Sequence, residues 1–371
     1  MSGTTPGVPL IDLGWQRDAI ADEVNEGFAE VLAKTAFIGG PQVAKFESEY
    51  AAYSGVSHCV GLGNGTDALE LALRAAEVGP GDECVLPANT FIATAEAVHR
   101  TGATPVLVDM DPSTFLIDSA AAVAAINERT AAVLPVHLYG RLVDTTEIRA
   151  AANAHGAIVL EDAAQSQGAT RDGAKAGAFG DIAATSFYPG KNLGAYGDAG
   201  AIVTDSEELA EKVRLLRAHG ERVRYQHEIV GFNSRLDTLQ AVVLSAKLKR
   251  LDEWNRLRQE AALRYEAMLG DVDGVQTPGT AGAEHVWHLY VVRVANRDGA
   301  LEKLRADGIG AAIHYPVPVH LTAAFGHLGH GAGSFPESER AATEILTLPM
   351  FPGITEEQQA IVVEALKKHV A

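Results

Sequence analysis

Between Glu83 and Leu160, short apolar runs alternate with longer stretches in which apolar residues recur every three or four positions. The runs 84–86, 105–109, 131–135 and 157–160 predict strands, and 93–101 and 118–127 predict helices. Alternation of this kind means βαβ units, and therefore a mostly parallel sheet with helices on both faces. Two further apolar runs, 182–185 and 199–204, add strands, and a helix over 207–219 closes this part of the chain.

Upstream, 17–34 carries Ile20, Val24, Phe28, Val31 and Leu32 at helical spacing. Phe37-Ile38-Gly39-Gly40 interrupts it, and Pro41 suits the first turn of a second helix with Val43, Phe46 and Tyr50 on one face. A glycine-rich turn, 61–67, leads into an Ala/Leu-rich helix over 68–76. Downstream, 222–237 is polar, aromatic and without a clear period. Residues 239–269 then predict one long amphipathic helix joining two domains. A strand at 289–294 and helices at 299–307 and 356–369 make a smaller α/β unit, with a surface loop expected over 326–336. The expected fold is α/β, with a large domain over 1–245 built on a mostly parallel sheet and a small C-terminal α/β domain over 246–371.

Composition narrows the function classes. A chain of 371 residues can bury a large core, and 47% hydrophobic with 21% charged residues is ordinary for a soluble globular protein. The net charge of −18, from 30 basic and 48 acidic residues, argues against nonspecific nucleic-acid binding. It also means that any phosphate site has to be assembled locally. Cys59 and Cys84 lie in apolar runs with no CxxC or Cys/His spacing for zinc, and they read as packed, reduced thiols. No stretch reaches the roughly 18 apolar residues of a membrane span, and Met1 to Pro9 lacks a signal-peptide pattern. A cytoplasmic location is expected.

The candidate chemistry centres on Lys191, in Ser186-Phe187-Tyr188-Pro189-Gly190-Lys191-Asn192. Most lysines are solvated surface charges, but this one is fixed between two predicted strands by Pro189, Gly190 and Gly194. The strand at 157–160 delivers Glu161-Asp162-Ala163-Ala164-Gln165 to its C-terminal end, where ligands of open α/β sheets gather. An amine and a carboxylate at neighbouring strand ends can hold an aldehyde cofactor, with Lys191 as its Schiff base and Asp162 on a ring nitrogen, as pyridoxal phosphate requires. Asp162 can instead cap a helix, a role that leaves Gln165 unexplained; Gln165 can donate to a phenolic oxygen on the same ring. Gly65 and Thr66 open a helix whose free N–H groups favour an anion. A dinucleotide fingerprint lacks its third glycine, since that position is Thr66, and no Walker lysine follows, so a single compact phosphate fits better. Phe91 lies just past a strand end and can be a core aromatic or a ring stacked on a flat cofactor.

These residues carry a resemblance. The segments Gly65-Thr66-Asp67-Ala68-Leu69, Pro87-Ala88-Asn89-Thr90-Phe91, 161–165, 186–192 and Gly231-Phe232-Asn233-Ser234-Arg235-Leu236-Asp237 resemble, in order, the DegT/DnrJ/EryC1/StrS family of nucleotide-sugar aminotransferases. The family has the aspartate aminotransferase fold, type I of the pyridoxal-phosphate-dependent transferases. The resemblance implies Lys191 as Schiff-base lysine and general base, Asp162 on the pyridine nitrogen and Gln165 near the phenolic oxygen. It places Gly65, Thr66, Asp67 and Ser186 at the phosphate, Phe91 over the ring and Asn233 on the phosphate of the partner subunit in a homodimer. Lysine at position 191, where dehydratase relatives have histidine, favours transamination between pyridoxal and pyridoxamine forms, with L-glutamate as donor and 2-oxoglutarate as product. Segments 135–140 and 313–320 look most like enzymes acting on a dTDP-linked 3-keto-6-deoxy sugar. Tyr188, His314, Tyr315 and His320 are then candidate substrate contacts, though the histidines and Tyr315 can equally be loop packing. Arg222 and Arg224 can meet a diphosphate or remain solvated. Competing readings are a 4-keto sugar substrate, a cofactor-bound sensor without turnover, and a nicotinamide dehydrogenase, which the missing glycine fingerprint disfavours.

Overall fold

Alternate residues of the central strands feed different apolar clusters, which explains why these strands read as unbroken apolar runs. In a computed structural model that describes residues 7–370, the sheet has seven strands. They are β1 (His58–Leu62), β2 (Glu83–Pro87), β3 (Thr104–Val108), β4 (Thr130–Val133), β5 (Ile158–Asp162), β6 (Ile182–Ser186) and β7 (Gly200–Thr204), in the order β1-β7-β6-β5-β4-β2-β3. Cys84 and Leu86 of β2, Leu160 of β5, and Ile182 and Ala184 of β6 enter one cluster; Val85, Val159 and Ala183 face the opposite side. Pairing is parallel from β3 through β6, and β7 runs antiparallel to both β6 and β1.

The first helices are α1 (Leu13–Asp18), α2 (Ala21–Lys34), α3 (Pro41–Ser54), α4 (Gly65–Ala75) and α5 (Ile92–Thr101). They are followed by α6 (Ser119–Ala125), α7 (Thr146–Ala154), α8 (Glu207–Arg217), α9 (Thr238–Leu248) and α10 (Leu251–Leu269). One face of the sheet is covered by α4, α5 and α8, the other by α3 and α9 at one end and α6 and α7 at the other. A separate cluster gathers Ala261, Tyr265 and Leu269 of α10 with β8 (Tyr290–Val294), α11 (Arg297–Ala306), β9 (Ile345–Leu348) and α13 (Glu356–Val370). Val8 joins that cluster: its carbonyl accepts from the Gly310 N–H at 2.7 Å, and Leu10 accepts from Met350 at 3.1 Å. The segment 8–11 thus straps the C-terminal cluster to the sheet, where Ile11 reaches Gly190.

Several predicted bounds change. The helix expected over 17–34 is two: Asp12 Oδ1 accepts from the Gly14 and Trp15 N–H groups, capping a separate α1, and buried Ile20 sits at the break. The helix expected over 239–269 breaks at Lys249 and Arg250, where the Arg250 guanidinium pairs with Glu23 and donates to the Ala246 carbonyl. Residues 221–227 form an exposed two-stranded hairpin, and 336–344 form α12 (Pro336–Glu344). Both cysteines are buried free thiols, and burial pushes Cys84 up to about 12 and Cys59 well above its usual value. Among the described residues, no helix is long and apolar enough to cross a membrane, and no His/Cys/Asp/Glu group suits a metal ion. The expectations for Met1 to Pro9 and for the start of the 1–245 unit fall partly on residues 1–6, outside the described residues.

Candidate active site

The carboxyl ends of β1, β2, β4, β5 and β6 open into one cavity of about 400 Å³. The first wall is the start of α4. Asn64 Oδ1 accepts the Asp67 N–H at 2.8 Å, which leaves the first-turn N–H groups of Gly65 and Thr66 at the cavity. A Cβ on Gly65 would stand 2.6 Å from the Ser186 Cβ, so glycine is what lets the helix start and the Ser186 hydroxyl share one wall. Two main-chain N–H groups, a serine and a threonine at a helix N-terminus form an anion cradle. In a chain of net charge −18, it is the locally assembled site that a phosphate needs.

Asp162, at the end of β5, is 5% exposed. Its Oδ2 accepts from the Thr94 hydroxyl at 2.8 Å and its Oδ1 from the Ala164 N–H at 3.2 Å. Thr94 spends its one proton on Asp162, so Thr90, 2.8 Å away, donates to Thr94. Burial raises the carboxyl pKa despite these bonds and the nearby Lys191 ammonium. A cation set against Asp162 would restore its ionised form, a demand that a protonated pyridine nitrogen meets.

The lysine loop leaves β6 and returns to β7 on backbone bonds of its own. Phe187 N–H donates to Ala199, Lys191 N–H to Tyr188 and Ala195 N–H to Phe187, each at 2.8 Å. The loop closes so tightly that a Cβ on Gly194 would lie 2.3 Å from the Pro189 carbonyl oxygen. Lys191 keeps some exposure to the cavity. Burial pulls its ammonium down to about 8, and Asp162 acts in the opposite sense.

Gln165 is oriented without ambiguity. Its Oε1 accepts the Tyr139 backbone N–H at 2.6 Å, so its Nε2 donates to the Tyr315 hydroxyl at 3.2 Å. The Phe91 and Tyr315 rings stand 5.1 Å apart at the rim, with Phe91 49% and Tyr188 59% exposed beside Ile11. Phe91 is therefore not a core aromatic. His314 lines the same wall, with Nδ1 2.8 Å from Thr347 Oγ1, and burial lowers its pKa to about 4.

The structure thus brings together Gly65, Thr66, Phe91, Asp162, Gln165, Ser186, Tyr188, Lys191, His314 and Tyr315. Five other candidates lie elsewhere. Asp67 gives its N–H to the Asn64 cap and is not part of the cavity wall. Correcting the substrate-contact expectation, His320 is buried beyond the wall, its Nε2 3.0 Å from Glu339 Oε1 and its ring 4.8 Å from that of Phe335, because the turn at 319–321 points it inward. Arg222 pairs with Glu228 on the exposed hairpin and Arg224 lies over Tyr225, so neither reaches the cavity of its own chain. Asn233 is exposed, in a bridge with Ala218. Sequence reasoning missed Asn64, Thr94, Ile11 and His288. Only Asn64 left a signal, as a cap residue before a helix.

A buried carboxylate with no cation bonded to it, a buried amine and a helix start suited to an anion around one cavity fit pyridoxal phosphate: Gly65, Thr66 and Ser186 would hold its phosphate, Asp162 its ring nitrogen and Lys191 its aldehyde. Asp162→Asn keeps the shape and removes the charge. The expected result is a loss of roughly tenfold to hundredfold in the half-reaction rate with little loss of cofactor. Stopped-flow comparison of fully loaded proteins checks it, and equal rates would contradict the role.

Comparison with known proteins gives a consistent picture. Residues 18–367 match the profile of the DegT/DnrJ/EryC1/StrS aminotransferase family. A pleiotropic regulatory protein of Geobacillus stearothermophilus is 47% identical over 97% of both chains. The dTDP-3-amino-3,4,6-trideoxy-alpha-D-glucose transaminase of Streptomyces venezuelae is 44% identical over 98% of this chain and 96% of its own. The crystal structure of S. venezuelae DesV in complex with ketimine intermediate superposes with a TM-score of 0.95, at 44% identity and 98% coverage of both chains.

Proposed function

The chain belongs to the DegT/DnrJ/EryC1/StrS aminotransferase family, whose members are pyridoxal-phosphate-dependent, and we propose that it carries an amino group from L-glutamate to the keto carbon of a dTDP-linked 3-keto-6-deoxyhexose. The observation that supports this reading best is the placement of Lys191 and Asp162 on one cavity that also takes in the N-terminus of α4, with first-turn N–H groups directed at it. Bound pyridoxal phosphate supplies an electron sink for negative charge developing at the amino-bearing carbon. In this reading Asp162 holds a proton on the ring nitrogen, Gln165 donates through its fixed Nε2, and the Lys191 amine takes and returns the proton at the reacting carbon. Gly65, Thr66 and Ser186 bind and orient the phosphate, while Ile11, Phe91, Tyr188 and Tyr315 shield the site from water at the rim.

The same proposal includes a homodimer with shared sites. The hairpin region leaves Val223, Tyr225, Ile229 and Val230 from 43% to 94% exposed, and Leu32, Phe37 and Ile38 add a second apolar patch. Large apolar side chains left this exposed favour an interaction surface.

A panel of dTDP- and UDP-linked 3-keto and 4-keto sugars, with glutamate as donor, tests the substrate. The expected outcome is 2-oxoglutarate release with a preference of at least about a hundredfold in kcat/KM for the dTDP-linked 3-keto sugar. Preference for a 4-keto sugar would overturn the assignment of the carbon.

A further inference from the structure

Thr94, in the first turn of α5, is fully buried and forms no part of the cavity wall. Among the described residues, it is the one whose side chain bonds the Asp162 carboxylate. Its Oγ1 lies 2.8 Å from Asp162 Oδ2, 2.8 Å from Thr90 Oγ1 and 3.3 Å from the Phe91 carbonyl oxygen. One hydroxyl proton cannot serve all three. The Phe91 carbonyl already accepts the Thr94 N–H at 3.2 Å, and a carboxylate at the shorter distance is the stronger acceptor. The proton therefore goes to Asp162, and the Thr90 hydroxyl turns to the lone pair that remains.

The carboxylate has little else to hold its charge. Its Oδ1 accepts the Ala164 N–H at 3.2 Å. The titratable groups around it are Lys191, His137 and Tyr315, and none of them bonds it. His137 has its Nε2 2.8 Å from Glu161 and its Nδ1 on the Val143 N–H, while the Tyr315 hydroxyl takes the Gln165 amide. Burial pushes the Asp162 carboxyl up, and the Thr94 hydrogen bond is the largest influence in the other direction. A buried carboxyl and a pyridine nitrogen set against each other share one proton, and the stronger base keeps it. A donor on Oδ2 weakens the carboxylate as a base.

We propose that Thr94 is a positioning residue for amino transfer: by donating to Asp162 Oδ2, its hydroxyl keeps the shared proton on the cofactor's ring nitrogen. Without that donor the proton moves to the carboxyl oxygen, and the ring loses the positive charge that draws electrons from the reacting carbon. Phe91 is the N-cap of the same helix, so the first turn of α5 would serve both the face of the ring and its nitrogen. The inference rests on the reading that Asp162 meets the ring nitrogen.

Two measurements test it, and neither is turnover. In the apoenzyme, isotopically labelled aspartate carboxyls report the Asp162 pKa, assigned by difference against Asp162→Asn. Thr94→Val keeps the shape and loses the donor, which destabilises the carboxylate, so the Asp162 pKa should rise by about one unit. Thr94→Ala, which leaves space in place of a methyl beside Thr90, should do the same, and Thr94→Ser should restore the wild-type value. An unchanged pKa in Thr94→Val would refute the role. In the second, the protein is loaded with pyridoxal phosphate labelled at the ring nitrogen. The nitrogen resonance of wild type and Thr94→Ser should be that of a pyridinium, and that of Thr94→Val should move toward neutral pyridine. A nitrogen equally protonated in Thr94→Val and wild type would overturn the proposal. Should Asp162→Asn leave the wild-type signal in place, the fault would lie in pairing Asp162 with the ring nitrogen, and the proposal would fall with that reading.

Discussion

Lys191→Ala is expected to lose at least about a thousandfold in turnover while remaining folded. A positioned acid–base group is worth roughly a hundredfold to ten-thousandfold by itself, and the same side chain would also hold the cofactor. The fold should tolerate the change, because the 187–199 loop is held by main-chain hydrogen bonds and by the close approach at Gly194, not by the lysine side chain. Removing the amine also relieves a cost. Burial pulls Lys191 down to about 8, so a part-charged group disappears from a desolvated site. Tm should accordingly hold or rise slightly. Some cofactor should remain through Gly65, Thr66 and Ser186, without the near-ultraviolet to blue absorption of a lysine-bound form. Turnover close to wild type would remove Lys191 from the reaction.

Mixing two inactive variants should restore activity. Asn233 stands outside the cavity of its own chain, exposed and next to the hairpin whose apolar residues face solvent. If it serves the phosphate of a neighbouring subunit, Asn233→Asp sets a negative charge against an anion and disables that site. Lys191→Ala disables its own site. In a two-fold heterodimer of the two, both lesions fall on one site and the other keeps an intact lysine and asparagine. Random exchange makes about half of the dimers mixed, each with one working site of two, so about a quarter of wild-type activity should return. Should Asn233 act within its own chain, every mixed site carries one lesion and nothing is recovered. Native mass spectrometry confirms the exchange, and exchange without recovery would exclude shared sites.

Residues that line the cavity could be read from the sequence because strand ends announce themselves: an apolar run followed by Glu-Asp or by Ser-Phe-Tyr-Pro-Gly-Lys leaves few places for the side chains to go. Strand β1 was illegible for a local reason. Gly61 interrupts its apolar pattern, and it is there because a Cβ would stand 2.8 Å from that of Leu236, while its N–H bonds Glu47 at 2.7 Å. The reversed direction of β7 left no mark either, since a strand buried on both faces reads alike in either sense. Thr94 and His288 were invisible because each earns its place through one partner distant in sequence, Asp162 and Asn192 respectively. His320 misled because a histidine in a loop beside His314 and Tyr315 looks like theirs, and only the turn at 319–321 sends it away from them.

The cavity has two parts that answer differently to mutation. Its floor is made of buried groups tied to one another: Asp162 to Thr94 and Ala164, Gln165 to Tyr139, and Ser186 against Gly65. A substitution there leaves a buried polar partner stranded. At the rim, Phe91 and Tyr188 are half exposed, and Ile11 belongs to a strap instead of the sheet. On the proposed reading, rim side chains can therefore be exchanged one at a time to change the sugar accepted, whereas changes to the floor disturb a buried network. Descendants of one such scaffold would diverge in product before they diverged in reaction, and directed evolution of this chain toward a new sugar would do best to confine its libraries to the rim.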